Sequence, residues 1–136
     1  MQSLKVRDYM TRNILTLKSE DSVIDALRKL IKAGRSGAPV VDDQGNIVGL
    51  LSEIDCLKET LMGGYYQQAG DSVADHMTKD IDSVNADDDI LVTADLFIKG
   101  RRRLPVMENG KLVGIITRCD FGKALLDNID HPHHGS

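Results

Sequence analysis

Apolar positions along this chain alternate between short runs that read as strands and longer stretches with helical spacing. After a brief extended segment at 14–17, Val23, Ile24, Leu27, Leu30 and Ile31 line one side of a predicted helix. Asp21 or Ser22 can cap that helix and Gly34 can close it. The runs Ala38 to Val41 and Ile47 to Leu51 predict a hairpin around Asp43-Gln44-Gly45, and a last helix is expected from Glu53 to Met62. The same order then returns. An extended segment at 81–84 precedes a helix carrying Ile90, Leu91, Ala94, Phe97 and Ile98, with Asp88 at its start and Gly100 at its end. A second hairpin turns at Asn109-Gly110, and Arg118 to Asp127 reads as the closing helix. Short helical turns, Val6 to Met10 and Val73 to Met77, introduce the two halves.

The repetition extends to the letters. Val6-Arg7-Asp8-Tyr9-Met10-Thr11 recurs as Val73-Ala74-Asp75-His76-Met77-Thr78, and Pro39-Val40-Val41 as Pro105-Val106-Met107. The pattern Gly-x-x-Ser/Thr-x-x-Asp occurs as Gly49, Ser52, Asp55 and again as Gly114, Thr117, Asp120. Three ordered matches in one short chain mark a duplication. The expected organisation is a first repeat at 4–62, a linker at 63–70, a second repeat at 71–127 and a disordered tail at 128–136. The expected fold mixes α and β: two β-α-β-β-α repeats, each too small to bury both faces of its sheet alone. The repeats should therefore pack sheet to sheet about an approximate two-fold axis, leaving equivalent clefts.

Composition narrows the function classes. Aromatic residues make up 4% of 136 residues and Trp is absent, so the core must be aliphatic. Seventeen Lys and Arg against 21 Asp and Glu give a net charge of −4, which offers no general attraction for nucleic acid or an anionic membrane. Apolar runs fall far short of the roughly 20 residues that span a bilayer, and the start lacks a signal-peptide layout. A cytoplasmic location is expected. Cys56 and Cys119 have no neighbouring cysteine and read as small buried hydrophobes. Met10 and Met77 read as packing residues, His76 as a surface or interface residue, and Tyr65 and Tyr66 as linker contacts. Asp87-Asp88-Asp89 is assigned to helix capping rather than metal binding. His131, His133 and His134 lie in the polar tail, outside both repeats.

The repeated Gly-x-x-Ser/Thr-x-x-Asp sits where a strand ends and a helix begins. Unpaired N–H groups and the dipole of a first helical turn favour an anion such as phosphate, to which Ser52 or Thr117 can add a hydroxyl. A carboxylate one turn on can accept from the adjacent hydroxyls of a ribose. The same spacing also makes a capping box serving only the helix's own N–H groups. The two readings are compatible.

Taken together, the Asp-x-Met-Thr segments, the Pro-Val strands and the duplicated Gly-x-x-Ser/Thr-x-x-Asp resemble a tandem cystathionine-β-synthase (CBS) domain pair of the small stand-alone type. The resemblance covers about 4–127. It implies a pseudo-symmetric regulatory module, often a disc-like homodimer, that binds adenosyl ligands such as AMP, ADP, ATP, S-adenosylmethionine or NAD. Asp55 and Asp120 would hold riboses and Ser52 and Thr117 would approach phosphates. Ala38-Pro39 and Leu104-Pro105 would border the adenine. Arg101-Arg102-Arg103 precedes Pro105 where Arg35-Ser36-Gly37 precedes Pro39. By resemblance, Arg102 and Arg103 serve the nucleotide held by Asp55, making it the main site, while the Asp120 site binds weakly, prefers a less charged adenosyl thioether or stays empty. The alternative is that the arginines simply complement a helix end. AMP or ATP is the expected regulatory ligand, with no required cofactor or metal, an unidentified protein target, and neither nucleic acid nor membrane as a partner. No nucleophile with its base is visible, so no enzymatic activity is expected. The rival reading is a ligand-free dimerisation scaffold.

Overall fold

The computed structural model describes residues 4–57 and 71–130. The linker at 63–70 with Tyr65 and Tyr66, the predicted helix beyond residue 57, and the histidines at 131–134 lie outside them. The fold is mixed α and β, as expected, with two three-stranded sheets. The chain forms two compact units: Leu15–Ile81, here the Asp55 unit, and Met1–Ile14 with Asp82–Ser136, the Asp120 unit.

In the Asp55 unit the elements are β1 (Leu17–Lys18), α1 (Val23–Ala33), β2 (Gly37–Val41), β3 (Ile47–Ser52), a helix α2 described over 53–57, and α3 (Val73–His76). β1 runs parallel to β2, and β2 antiparallel to β3. Ser22, rather than Asp21, caps α1, its Oγ accepting from the N–H groups of Ile24 and Asp25 at 3.2 and 3.4 Å. Gly34, at φ 66°, takes the left-handed turn that ends α1. Asp42 organises the hairpin: its Oδ1 accepts from the N–H groups of Gln44 and Asn46, and these bonds hold its carboxyl below the ordinary carboxylate range.

The Asp120 unit contains β4 (Val84–Asn85), α4 (Leu91–Ile98), β5 (Arg103–Glu108), β6 (Lys111–Thr117) and α5 (Arg118–Asp130). Strand pairing repeats that of the other unit, including an irregularity after Val106 that matches one after Val40. Both central residues of the second hairpin have positive φ, 53° at Asn109 and 77° at Gly110, as its tight turn requires. Of the Asp87-Asp88-Asp89 triplet assigned to capping, it is Asp89 that serves the start of α4, its Oδ1 accepting from Leu91 N–H at 2.8 Å. Asp88 instead accepts from Asn85 N–H, and Asp87 pairs with Arg7. α5 continues to Asp130, so 128–130 are helical.

The compact units and the sequence repeats partition the chain differently, because the opening turns are exchanged. The turn Val6–Asp8 docks on the second repeat through Val6 N–H to Asp88 O and Arg7 N–H to Ala86 O, both 2.9 Å. Thr11 and Ile115 then exchange main-chain hydrogen bonds at 2.8 and 3.0 Å, adding to the free edge of β6. In the Asp55 unit, Thr78 pairs with Leu50 in the same way, at 2.8 and 2.9 Å. Val6 accordingly lies in one core with Leu104, Val106 and Ile116, while Val73 lies in the other with Leu30, Val40 and Leu51.

Two glycines permit this docking. A Cβ added to Gly114 would stand 2.6 Å from Met10 Sδ and 3.0 Å from Thr11 O; one added to Gly49 would stand 2.5 Å from Met77 Sδ and 3.1 Å from Thr78 O. The methionine packing expected from the sequence thus has a specific partner in each unit. The thioether can move but the carbonyl is held in the ladder. Gly114→Ala is therefore expected to destabilise the protein by about 1–3 kcal/mol in urea unfolding, with part of the loss recovered in Gly114→Ala/Met10→Ala.

Candidate functional site

β3 runs directly into α2, and β6 directly into α5, which places Ser52 and Thr117 at equivalent strand ends. The helices start with the same reciprocal hydrogen bonds. Ser52 N–H donates to Asp55 Oδ2 at 2.9 Å, and Asp55 N–H donates to Ser52 Oγ at 3.2 Å. Thr117 N–H donates to Asp120 Oδ2 at 2.9 Å, and Asp120 N–H donates to Thr117 Oγ1 at 3.2 Å. The capping reading is therefore correct for both copies. It consumes one lone pair on one oxygen of each carboxylate. Oδ1 of Asp55 and Oδ1 of Asp120 have no hydrogen-bond partner among the described residues, and both aspartates are partly exposed. A carboxylate has about four acceptor positions, so capping leaves enough for two hydroxyls. The cap also fixes the carboxylate's direction, which an unrestrained aspartate would have to settle on binding.

The four residues predicted to border adenine are buried: Ala38 and Leu104 are 1% and 0% exposed, and Pro39 and Pro105 are under 2%. Ala38 and Leu104 belong to the unit cores, so their side chains are spent on packing and what they can present to a ligand is main chain.

The arginine triplet divides. Arg101 ion-pairs through Nε with Asp82 Oδ2 at 2.9 Å. Arg102 is exposed. Arg103 opens β5 directly opposite Thr117, and residues directly opposite in an antiparallel pair point to the same face. The equivalent pair in the other unit is Gly37 opposite Ser52. The structure thus brings Arg103 together with Thr117 and, through the cap, with Asp120 in one unit.

Arg118 was not singled out by its sequence. Its Nε donates to Arg101 O at 3.0 Å and its Nη2 to Phe97 O at 3.5 Å, tying the start of α5 to the end of α4. The available signal was its contrast with Glu53, the residue at the same place in the first repeat.

Cys56 is buried, as expected, and burial pushes its thiol pKa up, away from nucleophile chemistry. Cys119 is exposed instead of buried, because the inward side of α5 is occupied by Ala124 and the partly buried Phe121. The His76 side chain is 7% exposed, with Nε2 3.1 Å from Asp71 Oδ2, which fits the interface half of its expected surface-or-interface role. Among the described residues no group of three His, Cys, Asp or Glu side chains could hold a metal ion, and no helix is long and apolar enough to cross a membrane.

The CBS domain family pattern matches this sequence twice, over residues 6–61 and 73–127. The chain belongs to the CBS domain family. Its structure is similar to CBSX2 from Arabidopsis thaliana, a CBS-pair protein, with a TM-score of 0.85, 32% identity, and coverage of 95% of this chain and 99% of that one. A second structure of CBSX2, in complex with AMP, gives a TM-score of 0.79 at 34% identity, covering 92% and 98%. MJ1225 of Methanocaldococcus jannaschii is 31% identical over 121 residues, 88% of this chain but 42% of that protein. The A-adding tRNA nucleotidyltransferase of Aquifex aeolicus is 29% identical over 128 residues; the match covers 93% of this chain and 15% of that protein. This CBS pair therefore spans less than half the length of both of these relatives.

Proposed function

We propose that this CBS pair is a regulatory module, without catalytic activity of its own, that binds an adenosyl nucleotide and passes the resulting change to a protein partner. AMP or ATP is the first choice of ligand. The observation that carries the reading is the duplicated cap: two aspartates held by identical main-chain bonds, each with an oxygen left for a ribose. The AMP complex of CBSX2 supports the ligand class. In this reading Asp55 and Asp120 accept from ribose hydroxyls, Ser52 and Thr117 approach phosphate, and Arg102 and Arg103 supply positive charge. Main-chain groups at Ala38-Pro39 and Leu104-Pro105 border the adenine.

The contrast between Arg101-Arg102-Arg103 and Arg35-Ser36-Gly37 is the ground, by family resemblance, for ranking Asp55 as the stronger position. A specific observation favours the reverse order: Arg103 is registered against Thr117, beside Asp120. Comparing the two aspartate variants decides between them.

Calorimetric titration of the purified protein with AMP, ATP, NAD and S-adenosylmethionine tests the proposal. Saturable heat is expected with at least one, and ligand at about 100 times its Kd should add about 2.7 kcal/mol to stability. Heat from none of the four, with an unmoved melting temperature, would leave the scaffold reading. That reading and a homodimer both draw support from α5, where Leu125, Leu126 and Ile129 are 51%, 58% and 62% exposed. Transmission of the signal rests on ligand preference: a nucleotide can shift the protein between two arrangements only as far as it binds one better than the other.

A further inference from the structure

The loop carrying the arginines and its counterpart in the other unit leave their helices by the same turn. Gly100 N–H donates to Phe97 O and Arg101 N–H to Leu96 O, each at 3.0 Å; Gly34 N–H donates to Ile31 O at 3.1 Å and Arg35 N–H to Leu30 O at 2.9 Å. The backbones match, but the Asp82 and Arg118 contacts of the Asp120 unit have no equivalents at the aligned positions. In the Asp120 unit, Asp82 takes the Arg101 guanidinium at 2.9 Å, and Arg118 donates to Arg101 O at 3.0 Å. By repeat alignment the corresponding residues of the Asp55 unit are Leu15 and Glu53, which have, respectively, no carboxylate and no side-chain N–H to offer. There, Glu53 contributes only its main-chain N–H, to Ser36 O at 2.9 Å.

These differences occur together with the presence of Arg102 and Arg103 in place of Ser36 and Gly37, and electrostatics accounts for the association. Four guanidinium groups at 101, 102, 103 and 118 repel one another, and an unbraced loop would splay into solvent. Asp82 neutralises one of them. Arg118 directs another toward carbonyls at the C-terminal end of α4, where the helix dipole is negative. Arg102, exposed, then extends from a loop fixed at both its side chain and its carbonyl, with Arg103 beside it at the start of β5. A cation held in place beforehand loses less freedom when it meets a phosphate.

We propose that Arg118 and Asp82 are positioning residues that brace this loop so that Arg102 and Arg103 meet the phosphates of the nucleotide, and that this brace sets the preference for phosphorylated over phosphate-free adenosyl ligands. The inference rests on the proposed nucleotide-binding function but not on which aspartate holds the stronger site. A surface arginine without this role could be removed with no effect on binding. A purely structural one would weaken every ligand alike.

The test is titration of wild type, Arg118→Ala, Arg118→Lys, Asp82→Asn and Arg102→Ala/Arg103→Ala with ATP and with adenosine, alongside thermal melts. Arg118→Ala and Asp82→Asn are each expected to weaken ATP binding about three- to tenfold while adenosine stays within about twofold, and Arg118→Lys should recover part of the loss. Adding Arg118→Ala to the Arg102→Ala/Arg103→Ala protein should cost nothing further, because the brace acts through those arginines. Equal losses for ATP and adenosine, or full additivity, would overturn the brace while leaving nucleotide binding intact. A wild-type protein that binds neither ligand would overturn both. Should Arg118→Ala melt early, Arg118→Lys and Asp82→Asn carry the same comparison in folded protein.

Discussion

Asp55→Ala and Asp120→Ala are each expected to weaken binding at their own position by about one to two orders of magnitude, the value of a charge-assisted hydrogen bond or two. Titration of each variant with AMP and ATP measures the effect. The geometry makes a second, smaller effect unavoidable. Asp55 Oδ2 accepts Ser52 N–H and Asp120 Oδ2 accepts Thr117 N–H, so alanine also leaves a helix-start N–H without its acceptor. That should lower stability by about 1 kcal/mol. Asparagine separates the two contributions. Asp55→Asn keeps one oxygen for the cap but replaces the charged acceptor proposed for a ribose, so its melting temperature should stay near that of wild type while affinity falls. A fall in stability with affinity unchanged would mean that the carboxylates serve only their own helices. A larger loss in Asp55→Ala than in Asp120→Ala supports the order read from the arginine triplet; the opposite result supports the order read from strand register.

Leu104→Ala should be the most damaging single truncation in the Asp120 unit, costing about 2–5 kcal/mol in urea or thermal unfolding. Leu104 is 0% exposed and lies opposite Ile116, also 0% exposed, in the core that Val6 joins from the start of the chain. Losing it removes apolar contact with three parts of the sequence at once and leaves a cavity that a sheet cannot readily close. Leu126→Ala, at a residue 58% exposed on α5, should cost less than about 0.5 kcal/mol by comparison. If the two variants unfolded at the same urea concentration, the core assignment would be wrong. If Leu126→Ala instead shifted the protein toward monomer in sedimentation, the exposed face of α5 would be a pairing surface.

The elements themselves were legible because each is specified locally. Ser22 before an apolar run, Gly34 after it, and Asn109-Gly110 between two alternating runs need nothing distant to act. Local chemistry was less decisive where several candidates stood side by side. In Asp87-Asp88-Asp89 all three carboxylates are helix-start residues by composition, and which one caps depends on Arg7 taking Asp87 and Asn85 taking Asp88. The burial of His76 and the exposure of Cys119 were likewise outside the reach of pattern, since each depends on what the neighbouring segment packs against.

The residues alone determined that the chain is a duplication, that each copy is a strand-helix-hairpin-helix unit with an aliphatic core, and that Ser52/Asp55 and Thr117/Asp120 are equivalent. All of these follow from periodicity and letter-by-letter repetition. Only the folded chain decided that the opening turns are exchanged, because hydrogen bonding of Thr11 to Ile115 and of Thr78 to Leu50 is a choice of edge that either turn could satisfy by its own letters. Only the folded chain, too, divided the arginine triplet into a braced Arg101 and an outward Arg102. That division depends on Asp82 and Arg118, residues distant in sequence whose charges matter through where the backbone puts them.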